Sequence, residues 1–577
     1  MSWQLKEGIK KKLTQEVGAT IYAPGARQAM AFVYPNTYTI GMSNLGLQIL
    51  YKEINASGFA ACERFFLPEK KELALYQKQG LPLLSMETQR PLDCFGIIGV
   101  MMSFELDYLN FLQMLMLSKI ELLAEQRDTY DPFIIIGGPC ATFNPEPLAI
   151  FADAFVIGEG EEVVPNILRT IQDGREARLT KREILASLAR LAGVYVPAFY
   201  EPQYVDDAFC GMKVSSPAPK RVERQWVRKL DQHTASSSIV SAATEFENMF
   251  IIEVARGCGR HCRFCMAGYC FRKPRARALD KIIEDIKNRP PSSKKVGLMG
   301  AAVSDYPYIK ELTAFLVQHK IAFTVASLRA DTMDQALADA LAASGQQTLT
   351  VAPEAGSKRL RSLINKGITE DDIYKAVELA ARAGMKNIKL YYMIGLPTET
   401  DEDITEMIAM IARIRQKMTG VGNKGELVIS TNAFVPKPFT PFQWQPLFNL
   451  KILKERFKRL EDAFRKDRTV AIQTESLKET VLQAALARGE RFIGEALYRA
   501  VTQEHGNLKA AFKSCKIDYE KYATRILDMS QVLPWSHIDI GLSDDYLTRE
   551  WERAEKLSYT LPCFEHCQRC GVCGGNE

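Results

Sequence analysis

The stretch "MFIIEVARGCGRHCRFCMAGYC", residues 249–270, passes from an apolar run into four cysteines within thirteen residues. Cys258, Cys262 and Cys265 are spaced C-x3-C-x2-C. The run "MFIIEVA" reads as a buried strand, so the three thiols share one loop at its carboxyl end, ahead of the basic "FRKPRAR". Such a loop can wrap one compact inorganic centre. Structural zinc takes four protein ligands, usually from paired C-x2-C elements, whereas an iron–sulfur cluster held by three cysteines leaves one iron open to a ligand that is not protein. A zinc site completed by Cys270 or His261, and a set of unliganded core cysteines, are the competing readings of the same residues.

From this loop the pattern extends in both directions. Between residues 246 and 445 strand-like runs recur as "MFIIEVA", "KVGLMG", "AFTVASL", "QTLTVAP", "NIKLYYMIG" and "ELVISTNAF", separated by helical stretches such as "ITEDDIYKAVELAARA". Six β/α repeats make an incomplete (β/α)6 barrel of the TIM type, open on one side, with its chemistry on loops at the carboxyl ends of the strands. Upstream, residues 28–200 alternate "MAFVYP", "CFGIIGVMMS", "PFIIIGGP" and "DAFVIGEGEE" with helical runs, which predicts a doubly wound, Rossmann-like parallel sheet. Ser103, Gly137, Gly138, Gly158 and Gly160 fall at its strand ends. That rim is where ligands bind in such sheets, although each glycine alone is also explained by a tight turn. An N-terminal segment precedes this domain at 1–27, and a Ser- and Pro-containing linker follows it at 201–245. A charged helical region is expected at 446–555, and a cysteine-rich tail, "CFEHCQRCGVCGGNE", closes 556–577. The expected fold class is therefore α/β in two domains, with a helical C-terminal region.

Composition bounds the function. The 577 residues suffice for two to four domains, and 47% hydrophobic with 25% charged residues describes an ordinary globular chain. No run of roughly eighteen apolar residues lacks charge, and the N-terminus has no apolar signal core, so a cytoplasmic chain without a membrane span is expected. Seven of the thirteen cysteines form two short spaced motifs, Cys258, Cys262 and Cys265 and the four of the tail, which in such a compartment favours metal ligation over disulfides. A net charge of +5 permits a nucleic-acid partner without indicating one.

The loop, with Phe264 just before its third cysteine, resembles the signature of the radical S-adenosylmethionine (SAM) enzymes. The resemblance implies a [4Fe-4S] cluster on Cys258, Cys262 and Cys265, with SAM chelating the fourth iron and cleaved reductively to a 5′-deoxyadenosyl radical. It also implies a one-electron reductant such as ferredoxin or flavodoxin. The later strand ends are similar to the superfamily's SAM contacts. "GAAVSDYP" stands where a Gly-Gly-Glu segment usually meets the methionine amino group, which leaves Ser304 and Asp305 as candidate substitutes. "SLRAD" offers Ser327 and Arg329, "APEAGS" offers Glu354, and "MIGLPTET", with Gly395, resembles the segment that lies against adenine. Arginine suits the carboxylate and glutamate the ribose hydroxyls.

"GGPCATFNPEP" and "FVIGEGEE" resemble the cobalamin-binding domain that precedes the barrel in many of these enzymes. This implies a corrinoid pocket near Ser103, Gly137, Gly138, Thr142, Gly158, Glu159 and Gly160. The D-x-H-x-x-G pattern is missing and Cys140 stands where relatives often have His, so no imidazole is expected beneath cobalt; an empty scaffold is the alternative. End to end, the chain resembles an uncharacterised bacterial family of two-domain radical enzymes with a cysteine-rich tail. Cys563, Cys567, Cys570 and Cys573 are spaced C-x3-C-x2-C-x2-C, which suits a second [4Fe-4S] cluster or a zinc ion. The expected function is cobalamin-dependent C-methylation of an unnamed substrate. The alternatives are a cobalamin-free radical enzyme, using an auxiliary cluster for oxidation, ring formation or sulfur insertion on RNA, peptide or metabolite, and a non-enzymatic iron–sulfur sensor.

Overall fold

The computed structural model describes residues 2–206 and 208–573, so the last four residues of the expected tail lie outside it. The N-terminal domain is a six-stranded sheet of β1 (Gln28–Tyr34), β2 (Ala60–Phe66), β3 (Ile97–Met101), β4 (Phe133–Gly137), β5 (Ala154–Val156) and β6 (Val194–Tyr195). The order is β2-β1-β3-β4-β5-β6, with β1 to β5 parallel and β6 antiparallel to β5. Strands such as "IIGVM" and "FIIIG" are apolar throughout because helices cover both faces. Among those helices are α1 (Leu45–Ala56), capped where Asn44 Oδ1 accepts from Leu47 N at 3.0 Å, and α2 (Val163–Glu176). The chain order reverses between β1 and β3, and a doubly wound sheet opens a crevice at such a switch point.

The second domain is a curved parallel sheet of β7 (Met249–Glu253), β8 (Lys295–Met299), β9 (Phe323–Val325), β10 (Thr348–Glu354), β11 (Asn387–Ile394) and β12 (Leu427–Ala433). Strands β7-β8-β9 and the set beginning at β10 join through the parallel bridge Leu328–Val351. In β10, β11 and β12 alternate residues are buried beneath helices while the intervening side chains stay partly open on the other face. A seventh strand, β13 (Val470–Thr474), pairs in parallel with β12, so the sheet continues beyond the six strands and the boundary at 445 expected from sequence. Its five residues, "VAIQT", lie between two charged helices, and that brevity hid them in a region read as helical.

The connection at 201–245 is strapped to both ends of the chain. It begins in the hairpin Tyr200–Val205 and Ala208–Val214; Val240–Ser241 pairs with Glu16–Val17, and Val222–Glu223 with Ile538–Asp539. The C-terminal helix Phe492–Thr502 packs against the N-terminal domain, where the buried Asn144 amide donates to Ala487 O and Gly489 O at 3.0 and 2.8 Å. The C-terminal region therefore bridges the two sheets. Among the described residues, no helix is long and apolar enough to cross a membrane.

Candidate active site

The cysteine loop leaves the carboxyl end of β7 and is closed at its base by a short antiparallel ladder, Ala255 opposite Ala276 and Arg256 opposite Arg275. Gly257 makes the turn into it at φ +79°, and a Cβ there would lie 2.2 Å from Phe271 O, so only glycine fits. Within the loop Cys265 N donates to Cys262 O at 3.0 Å, and Arg260 N to Cys258 Sγ at 3.4 Å. Burial, with Cys262 and Cys258 alongside, pushes the Cys265 thiol up to about 12; burial likewise raises Cys258. Three thiols this close favour their anionic forms only beside compensating positive charge, which a cluster's iron supplies. Among the described residues no three His, Cys, Asp or Glu side chains converge as ligands of a single ion do; a cubane takes each thiolate on a different iron. Cys270 is fully buried in the short helix that follows, where burial pushes its thiol up to about 12.

Of the residues expected to meet SAM, Asp305, Arg329 and Glu354 are tied to the loop by charge or hydrogen bonds. Asp305, just past β8, forms a two-pronged ion pair with Arg260 of the loop, both distances 2.8 Å, and the adjacent Ser304 Oγ is buried without a partner among the described residues. Past β9, Arg329 pairs with Asp331 at 2.9 Å and donates to Lys366 O at 3.1 Å, while Ser327 is exposed. Glu354, at the end of β10 with φ +67°, accepts from the buried Lys366 ammonium at 3.1 Å. Gly395, past β11, donates to Glu399 at 2.8 Å. Phe264 packs against the core shared by the N-terminal domain and the C-terminal region. Arg329 and Glu354 are polar, half-buried and held by Asp331 and Lys366, an arrangement suited to a zwitterionic ligand beside the loop.

Facing the loop across the domain boundary is a cavity of about 430 Å³. It opens at the switch point and runs from Gly137, Gly138, Gly158 and Gly160 at the strand ends to Met30, Ile97, Gly99 and Leu168 between the sheet and α2. Its barrel wall is Glu253, Arg256, Phe271 and Met299. Glu159 also lines it, whereas Ser103 and Thr142 do not. Ser103 accepts weakly from Asn44 at 3.4 Å. Thr142 is buried behind the wall, donating to Gly138 O at 3.2 Å and accepting from Gly158 N at 3.0 Å, so it braces the two glycine loops against each other.

The residues that sequence reasoning passed over are the charged partners of Glu159 and their neighbours: Arg256, Arg275, Arg277, Glu161 and Glu253. Glu159 receives Arg275 at 2.6 and 3.0 Å and Arg256 at 3.0 Å; Arg256 also reaches Glu161 at 2.6 Å and Glu253 at 2.8 Å. Arg277 adds a bond to Glu253 at 2.7 Å. Burial works against the Glu159 carboxylate, but Arg275 and Arg256 outweigh it and hold its pKa below the usual range. The signal was present as "GEGEE" and "EVARG", two charged segments either side of the predicted crevice.

The tail reaches the same place. Cys563 N donates to Gly259 O at 2.8 Å, and Asn365 clamps Thr560 with a reciprocal pair of bonds at 2.9 Å each. Cys567 and Cys570 are buried, Cys563 and Cys573 partly so.

Residues 46–197 match the family of radical SAM proteins, N-terminal, and residues 252–411 match the radical SAM superfamily. The second match begins within β7 and spans the cysteine loop. This chain carries a radical SAM domain. An uncharacterized protein of Methanocaldococcus jannaschii is 29% identical over 504 residues, 86% of this chain and 96% of that protein. The tRNA-2-methylthio-N(6)-dimethylallyladenosine synthase of Aquifex aeolicus is 22% identical over 275 residues, 45% of this chain and 59% of that enzyme. Among solved structures, the cobalamin-dependent SAM radical enzyme OxsB aligns with a TM-score of 0.50 at 12% identity, covering 92% of this chain and 80% of that one, a likeness of fold. The radical SAM domain carries its cysteine loop at the carboxyl end of β7, with Arg256 and Phe271 on either side of the loop lining the cavity, and the chain is a radical SAM enzyme.

Proposed function

We propose that this radical SAM enzyme transfers a methyl group to carbon with the help of a corrinoid. The observation that carries the reading is the cavity of about 430 Å³ at the switch point, walled on its far side by the strand that bears the cysteine loop. Its residues fit a flat, partly apolar group entering from the rim: glycines stand at the mouth, and among the described residues no histidine lines the wall. OxsB, whose fold this chain resembles, is a cobalamin-dependent enzyme with aqua-cobalamin and SAM bound, which supports the same reading. When bound, the cluster with SAM supplies a reductively generated carbon radical, and cobalamin supplies a transferable methyl group.

The chain's own residues then have distinct tasks. Cys258, Cys262 and Cys265 hold the cluster. Arg329 and Lys366 present cationic heads near Cys258 and Cys262 for a carboxylate, and Glu354 offers an acceptor for hydroxyls. The network of Arg256, Arg275 and Arg277 with Glu159, Glu161 and Glu253 fixes the N-terminal sheet against the loop. The partly open side chains of β10, β11 and β12 leave the barrel interior for substrate.

The test is isotopic. Anaerobically reconstituted protein with a strong reductant, cobalamin and trideuteromethyl-SAM should yield 5′-deoxyadenosine, and should place the label on one component of an RNA, protein or metabolite extract from cells lacking the gene. 5′-Deoxyadenosine without label transfer in any fraction would favour the cobalamin-free alternative, oxidation, ring formation or sulfur insertion supported by the tail.

A further inference from the structure

His261 lies between two ligands of the expected loop cluster, yet it is only 1% exposed. Its Nδ1 sits 2.6 Å from Tyr546 Oη and 2.8 Å from Arg272 Nη2. A guanidinium can only donate, so Nδ1 accepts and the ring proton is on Nε2. Nε2 lies 3.5 Å from Cys563 Sγ, the first cysteine of the tail. An N–H therefore points from the middle of one cysteine motif at a sulfur of the other.

Three further observations set donors and positive charge around the tail thiols and seat the tail against the loop. Arg569 Nε donates to Cys567 Sγ at 3.2 Å. Arg272, 1% exposed, faces Cys563 and Cys570, and its Nη1 is buried without a partner among the described residues. The backbone seats the tail against the loop, Cys563 N on Gly259 O at 2.8 Å, where Gly259 lacks a side chain and a Cβ would lie 3.3 Å from Cys563 Cβ. Donors converging on sulfur, with a spare buried guanidinium N–H, match the negative charge of a thiolate-bound cluster.

We infer that Cys563, Cys567, Cys570 and Cys573 hold a second [4Fe-4S] cluster docked directly on the first cysteine loop, and that His261 sets its potential through an Nε2–H···S bond to Cys563. His261 is thus a positioning residue that joins the two centres without binding iron. Hydrogen bonds to ligating sulfur stabilise the more negative, reduced state and raise the potential. The inference rests on the loop holding its own cluster.

The experiment uses anaerobically reconstituted full-length protein, analysed for iron, sulfide and zinc, and titrated by potential under electron paramagnetic resonance. About eight irons per chain with negligible zinc are expected, falling to about four in a Cys567→Ser/Cys570→Ser variant and to about four in a Cys258→Ala/Cys262→Ala/Cys265→Ala variant. His261→Phe should keep about eight irons while the tail signal moves to a more negative potential, and His261→Gln, which can still donate, should fall between it and the parent. If His261→Phe sheds the tail irons, the Gln variant carries the comparison. One zinc beside four irons, or four irons indifferent to the tail change, overturns the inference alone. Iron lost with the tail change and untouched by the loop change overturns the loop reading and this inference with it. Eight irons with an unmoved tail potential in both His261 variants removes His261 from the account.

Discussion

Arg256, two positions before the first cysteine of the loop, donates to Glu159 at 3.0 Å and to Glu161 at 2.6 Å across the boundary between the N-terminal sheet and the barrel. All three side chains are at most 14% exposed. Three arginines meet three glutamates there, so the charges balance within a buried network that neither domain could satisfy alone. Although burial opposes its charge, Glu253 and Glu161 keep the Arg256 guanidinium firmly protonated.

Arg256→Met should therefore leave carboxylates buried and under-paired. Breaking a buried pair from one side costs roughly 3–5 kcal/mol. Chemical denaturation should show a loss of that order, and Arg256→Lys should recover only part of it because an ammonium cannot span the same set of oxygens.

Cys258→Ala, Cys262→Ala and Cys265→Ala should each abolish 5′-deoxyadenosine formation from SAM. Cys270→Ala should keep the loop cluster's visible absorption, since Cys270 is fully buried outside the spacing and its thiol is pushed up to about 12. Full cleavage activity in any of the first three variants would remove that residue from the ligand set.

Gly137 offers a clean plug for the cavity. A Cβ there meets nothing nearer than Val156 at 3.6 Å, so the backbone tolerates a side chain that then projects into open space. Gly137→Leu should leave the thermal midpoint within a few degrees of the parent and reduce corrinoid retention at least roughly tenfold, a loss of about 1.4 kcal/mol in binding. Gly138 is a poorer choice because its φ of +99° and the 2.7 Å approach to Met102 O would strain any side chain.

His537 gives the fold a measurable acid sensitivity. It is buried against Tyr195, at 4.6 Å between rings, beside Glu146 and Arg491, and burial lowers its pKa from 6.5 to about 4. Between those values the unfolded chain binds more protons than the folded one, so this stability is whole above pH 6.5 and is lost as pH falls through 4. Replacement by Phe should flatten the stability profile across that window by on the order of 3 kcal/mol. Parallel profiles for parent and variant would contradict it.

The strands and the rim positions were legible in the chain because local pattern and burial coincide there. Cys258, Cys262 and Cys265 are fixed by spacing, the strand "FIIIG" by unbroken apolar burial, and the glycines 137, 138, 158 and 160 by the turns at strand ends. Strand β13 was hidden because five residues between charged helices carry too little periodicity to stand out. Arg256 and Arg275 were invisible for another reason: their partners are about a hundred residues away, and a charge reads as solvated until the fold brings its counter-charges to it. Ser103 and Thr142 show the converse, since a strand-end position guides a residue to the rim without deciding on which side of the wall it stands.

The most direct measurement of the corrinoid reading is retention by the parent protein. Expressed with cobalamin supplied and passed through gel filtration under anaerobic conditions, it should carry about one corrinoid per chain, visible by absorption, and lose it in Gly137→Leu while both proteins keep the loop cluster. A fully folded, iron-replete protein that emerges free of corrinoid after that treatment would contradict the account and leave the N-terminal sheet as a scaffold.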